Sequence, residues 1–239
     1  MQREYLGWSL RCMLVTGGYF DGEFSYNSDE VCSTLRLSAP DGYRDLGIKI
    51  KVMMIWIASR IPLFDFLLKA DLDTFICFAS VTDMIDALIL RFGTAQRIYM
   101  GHLETCSRVV HNPQGKFYDA HYLADLLLRS DTYYGSMCYP PYMQGLGYVL
   151  SYDLVKLIGF MAPSLKVYTN EDLMVGIWLI GHQVHRGTLV AKTFSEAWYQ
   201  TTLSECFPLY YNHKVPALVM RECRHFHAAT GFCWQPVAH

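Results

Sequence analysis

The sequence has little charge, no closely spaced cysteine pairs and no long uninterrupted apolar run. Asp, Glu, Lys and Arg together make up 18 % of its 239 residues, and the formal net charge is −2. No run of Lys or Arg offsets that balance, so there is no electrostatic case for a nucleic-acid ligand. The eight cysteines (Cys12, Cys32, Cys77, Cys106, Cys138, Cys206, Cys223 and Cys233) include no Cys-x-x-Cys pair. This argues against a zinc ribbon or a thioredoxin-like site. Their even number and wide spacing suit buried thiols and lumenal disulfides equally. No stretch reaches the ~20 apolar residues of a spanning helix. Leu6 to Phe20 comes nearest, but it carries Arg11, ends in Gly17-Gly18 and reads as core strand rather than signal segment. Repeats, low-complexity tracts and linkers are missing as well, which leaves one domain over 1–239.

What is present is core material, with 52 % hydrophobic residues, enough for one sizeable α/β domain. Strands are expected over 10–16 and 31–37. Tyr43 to Arg60 reads as a helix, because Leu46, Ile50, Met53, Met54 and Ile57 recur at three and four before Pro62 stops it. Phe64 to Leu68 is the expected central strand, Met84 to Leu90 a helix behind a cap at Ser80–Asp83, and 97–103 another strand. Residues 112–122 read as loop and 148–150 as a short strand. A helix runs from Ser151 to about Met161, and Asn170 caps a further one. The tail from Phe207 offers only strand-like pieces.

Three stretches carry chemistry. Lys69-Ala70-Asp71-Leu72-Asp73-Thr74-Phe75 places two carboxylates one residue apart at a strand end, where they can share one hard cation with a diphosphate. Tyr139 to Ser151 sets Tyr139 and Tyr142 beside Pro140-Pro141, and Gly145 and Gly147 permit close backbone approach. Glu171 and Asp172 fall in the first turn of the helix capped by Asn170. Each has an ordinary reading too: a solvated turn, a Pro-rich turn packed by tyrosines, and acids that favour a helix N-terminus.

Taken in order, these stretches resemble the β-1,3-galactosyltransferase family, which includes β-1,3-N-acetylglucosaminyltransferases. The family's Asp-x-Tyr-x-Asn-Leu-x-x-Lys segment is matched by Asp41 to Lys49, with Trp56 following at a similar place. Its Lys-x-Asp-Asp-Asp-x-Phe segment is matched by Lys69 to Phe75. Its Tyr-Pro-x-Tyr-x-x-Gly-x-Gly-Tyr-x-x-Ser segment is matched by Tyr139 to Ser151. Its Glu-Asp-Val-x-x-Gly segment is matched by Glu171 to Gly176. Asp-Gly-Tyr-Arg-Asp-Leu resembles the kinetoplastid phosphoglycan branch of the family in particular. Two departures stand out. Leu72 replaces the middle Asp of the acidic triplet, and the stem and first donor-binding segment expected before the first strand have almost no counterpart ahead of Leu10.

The resemblance implies a GT-A-like α/β domain with a mostly parallel central sheet, helices on both faces and a family-like core over 41–215. It implies one-step inverting transfer of galactose or N-acetylglucosamine from a UDP-sugar to a glycan or phosphoglycan hydroxyl. Asp71 and Asp73 would hold Mn²⁺ or Mg²⁺, and Lys69 would lie on the donor side. His213 would complete the metal site, with His225 and His227 as competitors. Asp172 would be the general base and Glu171 its positioning partner. Tyr139, Tyr142, Gly145 and Gly147 would line the substrate site. A membrane-anchored enzyme of the Golgi lumen is implied, with its anchor outside these residues. Two other readings compete with it: an inactive glycan-binding fragment of the family, and a metal-dependent hydrolase built on Asp71 and Asp73.

Overall fold

The computed structural model describes residues 3–5, 8–18, 24–25, 33–76, 78–128, 138–189, 191–193 and 211–213. Strands β1 (Arg3–Tyr5) and β2 (Trp8–Leu10) form an antiparallel ribbon. β3 (Met13–Thr16), β4 (Phe24–Ser25) and β5 (Ser33–Arg36) form a small sheet in which β5 is central. A 3₁₀ turn over Tyr43–Asp45 then leads into helix α1 (Leu46–Arg60), as the three-and-four spacing anticipates. Strand β6 (Phe66–Ala70) follows, two residues later than expected, so that Lys69 lies within the strand. After it come β7 (Thr74–Ile76), α2 (Phe78–Phe92), β8 (Ile98–Glu104), α3 (Ala120–Leu128) and β9 (Tyr142–Ser151). The order closes with α4 (Tyr152–Met161), α5 (Glu171–Trp178), β10 (His185–Thr188), β11 (Ala191–Thr193) and β12 (Tyr211–His213).

The central sheet has the order β10-β8-β9-β6. Only β10 and β8 pair in parallel; β9 runs antiparallel to both β8 and β6. The expected mostly parallel sheet is therefore corrected to a mixed one. The cause is local. The chain returns to the end of β8 just before β9 begins, where Cys138 is bonded to Cys106 and Tyr139 N–H reaches the Ser107 carbonyl, so β9 runs back along β8. β6, β8 and β10 still point the same way, and β9 alone is reversed. Of the eight cysteines, Cys12 is disulfide-bonded as well, which decides for these three between the two states left open by spacing alone.

Period-2 alternation along these strands sorts side chains to two faces. Leu67, Tyr99, Tyr148 and Leu150 pack with Ile50, Met54 and Ile57 of α1, Leu154 and Ile158 of α4, and Met174 and Trp178 of α5. Phe66, Leu68, Ile98, Met100 and Val149 pack on the other side with Val81, Ile85 and Leu88 of α2. Helices thus cover both faces, as expected, and each large buried side chain contributes on the order of 1.5–3 kcal/mol. Gly159 meets Ala58 where α4 crosses α1; a Cβ at 159 would lie 2.3 Å from that of Ala58.

The loop expected over 112–122 runs as far as Asp119, and only its last three residues belong to α3, whose start Asp119 caps. That buried carboxylate accepts the Tyr122 N–H at 3.0 Å through Oδ1 and the Thr169 and Asn170 N–H groups at 2.5 and 3.4 Å through Oδ2. One side chain therefore ties α3 to the segment that begins α5. Asp119→Ala removes a helix cap and leaves buried donors unpaired. Its expected cost is about 2–4 kcal/mol, read as a lower urea midpoint at unchanged slope; a midpoint equal to wild type would refute this role.

Candidate active site

The site begins with a polar residue in an apolar position. Lys69 shares a face of β6 with Leu67, opposite Tyr148 of β9 and beneath the N-terminus of α5. An unpaired ammonium there would be costly to bury. Its Nζ meets three acceptors instead: Asp71 Oδ1 at 2.8 Å, the Gly145 carbonyl at 2.6 Å and Glu171 Oε1 at 3.0 Å. Three donors thus find three acceptors, and the ammonium also lies 5.6 Å from the centre of the Tyr148 ring. Burial opposes the charge, but Glu171 and then Asp71 outweigh it and hold the Lys69 pKa above the usual lysine range.

Glu171 is buried, with only 6 % of its side chain exposed. It accepts the Tyr148 hydroxyl at 3.2 Å as well as the Lys69 ammonium. Burial pushes its pKa up to about 7; Lys69 restrains the rise and Asp172 adds to it. Asp172 is held by two backbone donors, Gly145 N–H on Oδ2 and Leu173 N–H on Oδ1, each at 2.8 Å. Its pKa is also raised, by burial. A Cβ at Gly145 would lie 3.1 Å from Glu171 Oε2 and 3.3 Å from Asp172 Oδ2, so any larger residue would push on both carboxylates. At Gly176 of α5 a Cβ would come within 2.5 Å of that of Tyr142.

The acidic turn sits beside this cluster. Thr74 N–H closes it on the Asp71 carbonyl at 3.1 Å, and Asp71 N–H reaches the Leu146 carbonyl of β9 at 3.3 Å. Leu72 projects outward and is 86 % exposed. β12 pairs antiparallel with β7 and sets the backbone of His213 opposite Thr74, one residue from Asp73. His225 and His227 lie outside the described residues. Among the described residues no three of His, Cys, Asp and Glu gather into a closed metal cage. An open carboxylate pair at a strand end is nevertheless what a hard cation completed by diphosphate oxygens requires, so the donor set fits Mn²⁺ or Mg²⁺.

The remaining expected residues divide. Tyr142 is half-buried near Asp172, and burial, then Asp172, pushes its pKa up to about 12. Gly147 pairs with Ala70 inside the sheet. Tyr139 is buried rather than presented to a ligand: its ring packs on Tyr122 at 4.9 Å, and its hydroxyl accepts the Val110 N–H and donates to the Phe117 carbonyl. Tyr148 and Asp119 belong to the site's support and were not singled out from sequence. Tyr148 alternates with known core positions, a signal that points to its burial but not to its partner.

The chain belongs to the galactosyltransferase family: the family model described as Galactosyltransferase matches residues 30–190, more than half of its length. This is a family of glycosyltransferases, EC 2.4.1.-. Among individual proteins, the chain is similar to beta-1,3-galactosyltransferase 6 of Mus musculus, 31 % identical over 147 residues, covering 61 % of this chain and 40 % of the relative. It is 24 % identical over 203 residues to beta-1,3-galactosyltransferase 4 of Rattus norvegicus, covering 73 % and 52 %. UDP-GalNAc:beta-1,3-N-acetylgalactosaminyltransferase 2 of Xenopus tropicalis is 28 % identical over 139 residues, covering 58 % and 25 %. The chain thus spans between a quarter and about half of the length of these relatives.

Glu171 binds its proton near pH 7 when folded and near the ordinary 4.5 when unfolded. Its contribution to stability is therefore fully present below about 4.5 and is lost as pH rises through about 7. Melting temperatures measured from pH 5 to pH 8 should fall for the wild type and flatten for Glu171→Gln. An unchanged slope in the variant would place the titration elsewhere.

Proposed function

We propose that the chain is an inverting β-1,3-hexosyltransferase of GT-A-like, single-domain architecture. It moves galactose, or alternatively N-acetylglucosamine, from a UDP-sugar to a hydroxyl of a glycan acceptor. One observation carries the reading: the acidic turn and the carboxylate pair form one cluster, joined through Lys69 and the backbone of Gly145. The two tasks of the reaction, holding the departing diphosphate and activating the incoming hydroxyl, thereby fall to neighbouring groups.

In the step itself, the acceptor oxygen forms a bond to the anomeric carbon while the bond from that carbon to the diphosphate oxygen breaks. The bonding pair leaves with UDP, and the acceptor proton passes to Asp172, whose raised pKa makes it a stronger base than an exposed aspartate. Only one carboxylate is needed as a base, and Glu171 is committed to Lys69 and Tyr148. A single displacement follows, without the second reacting carboxylate of a glycosidase. Asp71, Asp73 and His213 would hold the divalent ion, which when bound neutralises the charge gathering on the diphosphate. A lumenal Golgi location fits the Cys106–Cys138 bridge. No helix among the described residues is long and apolar enough to cross a membrane.

A binding-only chain is favoured by one feature, the engagement of Asp71 with Lys69. The two readings separate in a titration of UDP-galactose, UDP-N-acetylglucosamine and UDP-glucose with and without Mn²⁺. Mn²⁺-dependent binding that is lost in Asp73→Ala is expected, and the tightest ligand identifies the donor. In Asp172→Asn, turnover should fall by about 10²–10⁴-fold with donor affinity within about twofold of wild type. Absence of binding by every UDP-sugar would reject the transferase.

A further inference from the structure

At the same end of the domain as the carboxylate pair, two aromatic rings stand out from the surface with a lysine between them. Tyr43 is 55 % exposed and Phe117 51 %. The Lys116 ammonium lies 5.3 Å from the centre of the first ring and 5.2 Å from that of the second. Two half-exposed rings that share one cation offer a ligand both apolar ring surface and a positive charge at one place. No carboxylate among the described residues pairs with Lys116.

The patch is also firmly placed. The Phe117 carbonyl accepts the Asn170 Nδ2–H at 2.9 Å and the Tyr139 hydroxyl at 3.4 Å. Asp119, two residues on, holds the Thr169 and Asn170 N–H groups. Asn170 immediately precedes Glu171 and Asp172. From the other side, Gly47 packs so tightly on the Tyr168 carbonyl that a Cβ would lie 2.2 Å from it, which fixes the start of α1 and the turn that carries Tyr43. The segments that carry both rings are thus tied to the backbone that leads into the carboxylate pair.

We infer that Tyr43, Phe117 and Lys116 form an acceptor subsite for a pyranose unit bearing an anionic substituent. The inference rests on the transferase reading for its place in the reaction, but not for its binding chemistry. The C–H face of a pyranose packs on an aromatic ring, and the ammonium pairs with a carboxylate, sulfate or phosphate on the sugar. In this arrangement the rings bind sugars in general and Lys116 selects the charged ones. It is a specificity-determining residue, remote from the proton transfer.

The test uses the full chain without donor. Methyl β-galactoside, its 6-sulfate, its 6-phosphate and methyl β-glucuronide are titrated by saturation-transfer NMR at low and at 0.5 M NaCl. In the wild type the anionic glycosides should bind about threefold to fivefold tighter than the neutral one, the size of an exposed ion pair, and the margin should shrink at high salt. Lys116→Met should erase the margin while leaving the neutral glycoside unaffected, and Lys116→Arg should restore it. Phe117→Ala should weaken all four alike. Equal binding of neutral and charged glycosides, a margin that survives Lys116→Met, or no binding of any glycoside overturns the subsite. Which of the three anions binds best identifies the substituent. A chain that fails the UDP-sugar titration can still pass this one, and the reverse holds too, so the two failures are distinct.

Discussion

The structure depends on one buried ammonium. Lys69 occupies a position that strand alternation assigns to the core, and its charge is tolerable only because three acceptors surround it. Two of them, Asp71 and Glu171, come from segments that do different work in the proposed reaction; the third is backbone. Removing one partner from such a buried pair typically costs about 3–5 kcal/mol, because the charge left behind keeps its desolvation penalty. The same bonds that make Lys69 acceptable therefore fix the distance between the acidic turn and the first turn of α5.

Around that strut, each supporting residue relieves a specific steric or polar problem. Gly145 lets β9 run directly under two carboxylates, and Gly176 lets α5 settle on β9. Tyr148 gives Glu171 a neutral donor, while burial pushes that carboxyl's pKa up to about 7. Asp119 satisfies the N–H groups just ahead of α5, where Asn170 spends its side chain on Phe117 instead of capping its own helix. The Cys106–Cys138 bridge joins the segment after β8 to the one before β9, consistent with β9 entering the sheet beside β8 and in reverse. Together these contacts make a mixed sheet present both acidic segments at one edge.

The elements legible in the sequence are those whose signal is local. α1 follows from apolar residues at three and four, and the first turn of α5 from Asn170 with its two acids. The acidic turn is legible as two aspartates after an apolar run. The rest needs contacts that no window contains. β9 reads as three residues because Gly145 and Gly147 look like punctuation, yet the strand is ten residues long and the first of them is set by carboxylates 26 and 27 positions away. Tyr139 has the composition of a binding aromatic and the environment of a core one. Asp119 is one polar residue in a polar stretch until N–H groups from two backbone segments converge on it. The sheet's expected direction rests on a fold resemblance, whereas the Cys106–Cys138 bridge that accompanies the reversed β9 is invisible in cysteine spacing.

The place of β6 at the edge of the sheet has a consequence for how the chain is made. Its partner in that sheet among the described strands, β9, is synthesised some 75 residues later. At ordinary translation speeds the strand waits roughly 4–15 s as Phe-Leu-Leu-Lys-Ala before β9 is available to pair with it. Exposed apolar strands of this kind nucleate association between nascent chains, and a charge set among them is the usual safeguard. Lys69 is the one charged residue in that strand, so the group that anchors the finished site also interrupts the strand's apolar run while it is unpaired.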